Sequence, residues 1–294
     1  MEIAIIGAGK WGSALHFALS KVSTCKITSR HIRKMKNFVS LEEALKCKYL
    51  IFAIPSQAVG GWLEENFVFA EHKVLVAAKG IEKNSGKFLN QIFSKYIPEE
   101  NLAFLSGPSF ASEVMKSLPT ALVINSTNSE LSLEFSKFFP NFIKIYESND
   151  VIGAEICGAY KNVLAIASGI CTGLSLGNNA RASLIARGLV EMSRFGSYFG
   201  AKEETFLGLS GAGDLFLTAS SELSRNFRVG LALAKEKKLD DILDDLREVA
   251  EGVFTTDAVM NLSKKHGIYT PIASEVQKIL KGKNPKESLK DLLK

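Results

Sequence analysis

The amino-acid sequence predicts an α/β protein of two domains: a doubly wound, mostly parallel sheet over residues 1–149 and an all-α domain over residues 150–294. Two observations predict this. In the first half, seven short apolar runs alternate with helical patterns, and such alternation is typical of parallel strands covered by helices on both faces. After about residue 150 the strand signal fades and long helical patterns follow.

The predicted strands are rich in β-branched and aromatic residues and are bounded by Gly, Pro, Ser or Asn. They cover 2–7, 25–29, 49–55, 73–78, 102–107, 120–125 and 142–146. Between them, 11–22 and 130–139 fit helices. In the second half, helices are predicted over 152–172, 180–199, 225–237, 239–249, 255–265, 274–280 and 285–293.

The composition is that of an ordinary globular protein, with 46% hydrophobic and 23% charged residues among 294. A net charge of +5 and the lack of a basic block with interleaved aromatics argue against a nucleic-acid partner. The four cysteines lack metal-binding spacing, which predicts free thiols, a reducing compartment and no metal site. No signal peptide and no convincing membrane span is evident, so we expect a cytoplasmic protein without a membrane partner.

A glycine-rich motif, Gly7-x-Gly9-x-x-Gly12, follows the first predicted strand and opens the first predicted helix. In that context Gly7 permits a tight turn, Gly9 lets the backbone approach a pyrophosphate, and Gly12 lets helix pack on strand. The helix N-terminus then offers N–H groups to the anion. The motif, within which Lys10 and Trp11 lie, predicts a Rossmann-type dinucleotide site, and the alternative is a tight turn without a ligand.

The end of the second predicted strand indicates which dinucleotide binds. An acidic residue there would bond the ribose 2′-hydroxyl of NAD and repel a 2′-phosphate. The sequence has Ser29-Arg30-His31-Ile32-Arg33 instead, with no Asp or Glu. Arg30 and Arg33 would attract a 2′-phosphate, so NADP(H) is predicted to be at least accepted. The alternative is that both are ordinary loop cations.

Two more predicted strands are followed by residues that could bind an anion. Lys79 follows the fourth predicted strand, and Gly107, Pro108 and Ser109 follow the fifth. Ligands of doubly wound sheets bind beyond the carboxyl ends of the strands, so Lys79 and Ser109 are expected at the same edge as the glycine loop. The alternatives are a solvated lysine and a plain turn before a helix.

A lysine interrupts the most apolar helical pattern. Between Val151 and Gly177 the only charged residues are Glu155 and Lys161, and the helical neighbours of Lys161 are small or apolar. A lysine near a cleft can exchange a proton with a carbonyl or alcohol oxygen, whereas a snorkelling lysine only reaches water. Both interpretations stay open on pattern alone. Asp214, in a glycine-rich turn, is predicted to orient that lysine or a substrate hydroxyl, or else to cap a helix.

Three consecutive polar residues, Ser224, Arg225 and Asn226, precede a helical pattern. A hydroxyl, a guanidinium and an amide at a helix N-terminus would bind a phosphate strongly. The alternative is a capped helix with a surface arginine.

Eight motifs in this order resemble the bacterial type of NAD(P)-dependent glycerol-3-phosphate dehydrogenase. They are GAGKWG, AAKGIE, LSGPSFASE, GAYKNVLAIASGI, RASLIARGLVEMSRFG, GLSGAGDL, SRNFRVG and VAEGVFTT, and they extend from Ile3 to about Pro271. The resemblance implies reversible reduction of dihydroxyacetone phosphate to sn-glycerol 3-phosphate for phospholipid synthesis, by a homodimer.

The resemblance also implies roles for individual residues, with Lys161 as the catalytic proton donor and acceptor. Substrate contacts are implied for Lys79, Gly107, Ser109, Lys161, Asp214, Ser224, Arg225 and Asn226. Cofactor contacts are implied for Trp11, Arg30, His31, Arg33, Lys79, Ala111, Arg225, Val249 and Glu251. One departure from the family pattern is Asn178, where Asp is expected, and it bears on local hydrogen bonding rather than on the reaction.

Two other functions fit parts of the pattern. A β-hydroxyacid dehydrogenase also joins a dinucleotide domain to a helical domain with a lysine. Its substrate has no phosphate, so the predicted phosphate-binding residues 224–226 argue against it. The other function is a sensor that binds NAD(P)H without turnover. It would give no shared role to Lys161, Asp214 and the phosphate-binding residues 224–226. A substrate panel with and without phosphate separates these functions.

Overall fold

The fold is described from a computed structural model that covers residues 2–246 and 250–293. Inter-residue contacts divide the chain into two compact units. The first comprises Met1–Lys79 and Leu89–Ala154, and the second comprises Gly80–Phe88 and Glu155–Lys294. The boundary predicted from the sequence, between residues 149 and 150, lies five residues before the main division.

The first unit contains one seven-stranded sheet in the order β2-β1-β3-β4-β5-β6-β7. All neighbouring strands are parallel except β5 and β6, which are antiparallel. The strands are β1 (Glu2–Ile6), β2 (Thr24–Thr28), β3 (Tyr49–Phe52), β4 (Lys73–Val76), β5 (Leu102–Ser106), β6 (Thr120–Asn125) and β7 (Ile143–Ser148). The helices that start in this unit are α1 (Lys10–Leu19), α2 (Leu41–Leu45), α3 (Val59–Asn66), α4 (Leu89–Phe93), α5 (Ala111–Val114), α6 (Ser129–Ser136) and α7 (Val151–Gly173).

Both faces of the sheet are covered, as the unbroken apolar runs predict. In β1, Ile3 and Ile5 belong to one buried cluster, while Ala4 and Ile6 belong to the other. Because side chains alternate along a strand, the two clusters lie on opposite faces. The doubly wound, mostly parallel sheet is therefore confirmed.

Among its described residues, the regular secondary structure of the second unit beyond its nine-residue segment Gly80–Phe88 is helical. Its helices are most of α7, then α8 (Gly177–Tyr198), α9 (Glu203–Leu207), α10 (Asp214–Ala219), α11 (Arg225–Leu233), α12 (Leu239–Leu246), α13 (Glu251–His266), α14 (Pro271–Leu280) and α15 (Pro285–Leu293). Asp150 caps α7 by accepting a hydrogen bond from the Gly153 N–H at 3.0 Å. The predicted helical half is confirmed.

The segment Gly80–Phe88 leaves the sheet unit directly after Lys79 and packs within the helical unit. Ile81 and Phe88 form an antiparallel bridge and are both buried. The Phe88 ring packs edge-on against Phe199 with centroids 5.3 Å apart. Lys83 Nζ lies 3.1 Å from Asp257 Oδ2 on α13. Nothing in the local sequence pattern predicts this arrangement.

Among the described residues, only α7 is long and apolar enough to cross a membrane, and 89% of its most apolar window is buried inside the protein. That burial is what a core helix shows. The four cysteines form no disulfide and are buried, and burial raises the pKa of the Cys25 thiol to about 12. The described ranges contain no cluster of three or more His, Cys, Asp or Glu suited to a metal ion.

Candidate active site

The glycine loop joins β1 to α1, and two of its glycines are required by the fold itself. Gly7 has φ +114°, and a Cβ there would lie 2.5 Å from the Ala53 carbonyl oxygen. A Cβ at Gly12 would lie 1.9 Å from the Gly7 oxygen. These two positions therefore exclude a side chain on steric grounds.

Gly9 differs, because the fold gives no steric reason for a glycine there. Its φ is −71°, and a Cβ would meet nothing within 4 Å. Gly9 is exposed and immediately precedes α1, whose first turn carries no acidic residue. The open space before these N–H groups suits an anion whose approach a side chain would obstruct. The residues present therefore fit a dinucleotide pyrophosphate.

The loop after β2 is basic and exposed. Arg30, His31 and Arg33 are all exposed, and Ser29 Oγ donates to the His31 carbonyl oxygen at 2.7 Å. No acidic side chain occurs between Thr28 and Ser40. The charges at this strand end therefore suit a 2′-phosphate and do not oppose it.

Lys79, Gly107 and Ser109 come together beyond β4 and β5. Lys79 Nζ donates to the Gly107 carbonyl oxygen at 3.1 Å, and Ser109 Oγ donates to the same oxygen at 3.4 Å. Gly107 has φ +103°, with the Ala121 oxygen 3.2 Å from where a Cβ would stand. The predicted grouping of these residues at one edge of the sheet is thus present in the structure.

Trp11 and Ala111, both assigned to the cofactor by resemblance, are also brought together. Each is half-buried and packs on the same apolar cluster of the sheet unit, where α1 contacts α5. Lys10, at the first position of α1, is exposed.

Lys161 on α7 and Asp214 on α10 form a buried ion pair. Lys161 Nζ lies 2.5 Å from Asp214 Oδ1 and 3.2 Å from Thr218 Oγ1. Lys161 is 8% exposed and Asp214 is 1% exposed. The snorkelling alternative for Lys161 is therefore wrong. Asp214 is the first residue of α10 and the N-cap position is Gly213, so the alternative that Asp214 is the N-cap is wrong too.

The backbone around Asp214 is held by close packing. The turn Leu209–Gly213 is a π-helical turn, and a Cβ at Gly211 would lie 2.2 Å from the Phe206 oxygen. At the other end of α10, Ser168 Oγ on α7 donates to the Ala219 oxygen at 2.6 Å. These contacts fix α10 against α7, which keeps the carboxylate beside the amine.

Sequence reasoning missed Thr218, which completes the cluster. Its hydroxyl donates to Asp214 Oδ1 at 3.3 Å and also accepts from Lys161. A signal was present, because Thr218 lies four residues after Asp214 and such residues are neighbours on a helix face. The three side chains form one buried polar network.

Ser224, Arg225 and Asn226 lie at the start of α11. Ser224 Oγ caps the helix by accepting from the Phe227 N–H at 3.3 Å, as the capped-helix alternative predicted. Arg225 is exposed, whereas Asn226 is 7% exposed. Asn226 Nδ2 donates to Asn162 Oδ1 at 2.9 Å. Asn162, which sequence reasoning also missed, directly follows Lys161, so the lysine and the start of α11 adjoin.

Two further positions named from the sequence, Glu251 and Asn178, lie at the start of α13 and on α8. Glu251 is the first residue of α13 and is half-buried. Val249 lies outside the described residues. Asn178 is exposed, and its Oδ1 accepts from the Arg181 guanidinium at 3.2 Å, so a local hydrogen bond exists without the expected aspartate.

Tyr160, the residue before Lys161, bonds a buried carboxylate on α8. Tyr160 Oη donates to Glu191 Oε1 at 2.8 Å, and Glu191 also accepts from the Ile272 and Ala273 N–H groups at 2.8 and 2.9 Å. Burial raises the pKa of Glu191, while these three donors oppose the rise by stabilising the ionised form.

We expect Tyr160→Phe to lower the free energy of unfolding in a pH-dependent way. Without the hydroxyl the folded-state pKa of Glu191 rises further, so the loss is small below the ordinary value of 4.5 and grows as the pH rises above it. At neutral pH we expect about 1–3 kcal/mol by denaturant titration. Tyr49→Phe is the control, because Tyr49 bonds the less buried Glu134 at 3.2 Å. Equal losses at all pH values would contradict this account.

Comparison with known proteins identifies the family. Models described as the N-terminus and C-terminus of NAD-dependent glycerol-3-phosphate dehydrogenase match residues 28–132 and 150–290. The chain is also 63% identical over 292 residues to glycerol-3-phosphate dehydrogenase [NAD(P)+] of Sulfurimonas denitrificans, covering 99% of both chains. The chain belongs to the NAD-dependent glycerol-3-phosphate dehydrogenase family. The resemblance stated from the sequence is thereby confirmed.

Other members of the glycerol-3-phosphate dehydrogenase family match over their full length. The Campylobacter jejuni enzyme (strain RM1221) is 63% identical over 294 residues, with 100% of this chain and 99% of that chain covered. The crystal structure of glycerol-3-phosphate dehydrogenase from Coxiella burnetii superimposes with a TM-score of 0.91 at 33% identity, covering 100% of this chain and 98% of that one. The fold class is that of the Coxiella burnetii crystal structure.

Proposed function

We propose that the protein catalyses the reversible reduction of dihydroxyacetone phosphate to sn-glycerol 3-phosphate with NADH or NADPH. The observation that carries this proposal is the buried Lys161–Asp214–Thr218 network. A buried ammonium held in place by a carboxylate and a hydroxyl is positioned to donate a proton to a carbonyl oxygen. Family membership supports the choice of substrate and cofactor.

The sheet unit is proposed to hold the dinucleotide. Its pyrophosphate would lie against Gly9 and the N-terminus of α1, and its adenosine ribose near Arg30, with His31 and Arg33 in the same basic loop. Within this unit, Trp11 and Ala111 supply apolar contact and Lys79 supplies polar contact. When bound, the reduced nicotinamide supplies the hydride.

The start of α11 is proposed to hold the substrate phosphate. Arg225 is exposed and directly follows the cap Ser224, so it places a positive charge at the solvent-facing start of α11. The first N–H groups of a helix have no carbonyl one turn earlier, and the helix dipole also favours an anion there. Lys79 and Ser109, which meet at Gly107, are proposed to contact the rest of the substrate.

Lys161 is proposed to act on the substrate oxygen. As the carbonyl is reduced, negative charge develops on its oxygen, and the ammonium stabilises that charge and donates a proton. In the reverse direction the neutral amine accepts the proton from the alcohol. Asp214 and Thr218 hold Nζ in place through both steps, because each lies within hydrogen-bond distance of it.

The finer features of the function follow from the same proposal. We propose a cytoplasmic homodimer that supplies sn-glycerol 3-phosphate for phospholipid synthesis, without nucleic-acid or membrane partners. The mild charge of +5 and the burial of α7 support the last two points.

We expect Arg225→Ala to lower kcat/KM for dihydroxyacetone phosphate about 10- to 100-fold, because a charge-assisted bond to phosphate is lost. The slow reaction with dihydroxyacetone, which has no phosphate, should change little. Steady-state kinetics with both ketones measure this. Arg187→Ala, which removes an equal charge from an exposed position on α8, is the control. An equal loss with both ketones would show that Arg225 does not bind the phosphate.

A further inference from the structure

The basic loop after β2, residues 29–36, starts and ends on the same strand. It leaves β2 at Thr28, and the chain then returns along the outer edge of that strand, which is the first in the sheet. The Ile27 N–H donates to the Asn37 carbonyl oxygen at 3.0 Å, and the Val39 N–H donates to the Ile27 carbonyl oxygen at 3.0 Å. The loop is therefore closed at its base, as in other compact surface loops of this length.

The carbonyl oxygen of Cys25 lies at this base and accepts two side-chain hydrogen bonds. Cys25 is two residues before Ile27 on the edge strand, so its carbonyl also points to the outer edge. Asn37 Nδ2 donates to it at 3.2 Å, and His16 Nε2 donates to it at 3.1 Å. A carbonyl oxygen has two lone pairs, which these two donors fill. The helix α1, the strand β2 and the end of the basic loop thus meet at one atom.

His16 binds this oxygen from the buried side. It is 6% exposed, and its partner can only accept, so Nε2 carries the hydrogen. Burial lowers the pKa of His16 below its ordinary value of 6.5, although the bond to Cys25 opposes this, so the ring is neutral at pH 7. The helix that carries it is held independently, because Leu15, Ala18 and Leu19 are fully buried. The imidazole therefore fixes the carbonyl from a rigid element.

Asn37 binds the same oxygen from the solvent side. It is exposed and has φ +54°, in the left-handed region that asparagine adopts more readily than most residues. Its amide reaches the Cys25 carbonyl while its own carbonyl accepts from Ile27, so the end of the loop is bound at two points.

The charges of the basic loop explain why its base needs such an anchor. Four of its eight residues are cations, it has no acidic residue, and all four cations are exposed: Arg30, Arg33, Lys34 and Lys36. Like charges this close favour spread conformations over a compact one. A loop fixed at its base keeps these charges in one region, where a phosphate dianion gains most from them.

We propose that Asn37 and His16 are positioning residues for cofactor selectivity: through the shared Cys25 carbonyl they hold the basic loop where it binds the 2′-phosphate of NADP(H). Neither residue is assigned to the phosphate itself. NADH carries a hydroxyl in place of that phosphate, so its affinity depends far less on where the loop cations stand. The inference rests on the proposed function and adds to it two residues that sequence reasoning did not select.

Asn37→Gly and His16→Leu should each raise the dissociation constant for NADPH about 3- to 10-fold, the effect of one hydrogen bond, and that for NADH less than about 2-fold. Glycine adopts the φ of Asn37 without strain, and leucine keeps an apolar side chain in place of the ring. The double variant should lose less than the product of the two single losses, because both donors act through one oxygen. Fluorescence titration with each dinucleotide, without substrate, measures these constants.

Matched variants separate this role from a general loss of stability. His72→Leu removes another buried imidazole of the sheet unit, whose Nε2 lies 2.8 Å from the Leu45 carbonyl oxygen. Glu71→Gly replaces another exposed residue of positive φ, +56°. Both precede β4, whereas the basic loop follows the carboxyl end of β2. Both controls should leave the ratio of the NADPH and NADH constants unchanged, even where the thermal midpoint falls.

His16→Gln tests the hydrogen bond itself. The glutamine amide keeps an N–H donor for the Cys25 carbonyl, so this variant should hold the ratio of the two constants within about 2-fold of the unaltered protein. A purely structural role would not make the ratio depend on a donor at this position.

An unchanged ratio in folded Asn37→Gly, or equal losses of both dinucleotides in either variant, overturns the proposal. If His16→Leu does not fold, Asn37→Gly decides alone. An unaltered protein that binds NADH and reduces dihydroxyacetone phosphate but does not bind NADPH would overturn this inference alone. A protein that binds both dinucleotides and reduces no dihydroxyacetone phosphate would contradict the proposed function, and the ratio would still test the positioning role, because it is measured by binding.

Discussion

Lys161→Ala is expected to lower turnover about 10²- to 10⁴-fold, the range for loss of a general acid. NADH affinity should stay nearly unchanged, because the glycine loop lies in the sheet unit, which does not contain Lys161. Stopped-flow or steady-state reduction of dihydroxyacetone phosphate measures the first quantity, and fluorescence titration measures the second. Turnover within a few-fold of the unaltered protein would refute the role of Lys161.

The same substitution also affects stability, and that effect has to be separated from catalysis. Removing one partner of a buried ion pair leaves an uncompensated charge and costs about 3–5 kcal/mol. Asp214 is 1% exposed, so its carboxylate would be left in this state. The double variant Lys161→Ala/Asp214→Asn removes that charge. We expect it to recover much of the lost stability and none of the lost turnover.

The second large effect concerns the glycine loop, where substitutions at Gly9 and at Gly12 should have different effects. Gly9→Ala should leave the thermal midpoint unchanged, because a Cβ there meets nothing within 4 Å. It should weaken dinucleotide binding at least about 10-fold, since the methyl group stands where the pyrophosphate approaches the N–H groups.

Gly12→Ala should instead destabilise the fold. Its Cβ would lie 1.9 Å from the Gly7 oxygen, which forces the start of α1 away from β1. Overpacking of this kind costs about 1–3 kcal/mol, and a backbone obstacle puts this case at the upper end. Calorimetry and NADH titration on both variants test the contrast. If Gly9→Ala bound NADH normally, the glycine would have no ligand-related purpose.

Much of the fold could be predicted because its elements have strong local signals. Each of the seven strands is an apolar run bounded by breakers, and the observed strands match the predicted ones within a few residues. The direction of β6 carries no such signal. Pairing direction depends on the path of the connecting chain, so the antiparallel step between β5 and β6 is visible only in the structure.

The residues of the candidate site likewise separate into those with a local sequence signal and those that only the tertiary fold brings together. Lys161 and Asp214 were predicted because a charge in an apolar helix and a carboxylate in a glycine turn are unusual in sequence. Thr218 and Asn162 are ordinary helical residues, and their importance comes from which neighbours the tertiary fold gives them. The segment Gly80–Phe88 is a similar case, since its place in the helical unit depends on packing against Phe199, far away in the chain.

The proposed substrate is a ketone that carries a phosphate. The most direct test follows the absorbance of NADH and of NADPH in separate reactions, with dihydroxyacetone phosphate in one series and dihydroxyacetone in the other. The account predicts that both cofactors are consumed with the phosphorylated ketone and that the ketone without phosphate reacts at least about 100-fold more slowly. Cofactor binding without any consumption, or equal rates with the two ketones, would contradict it.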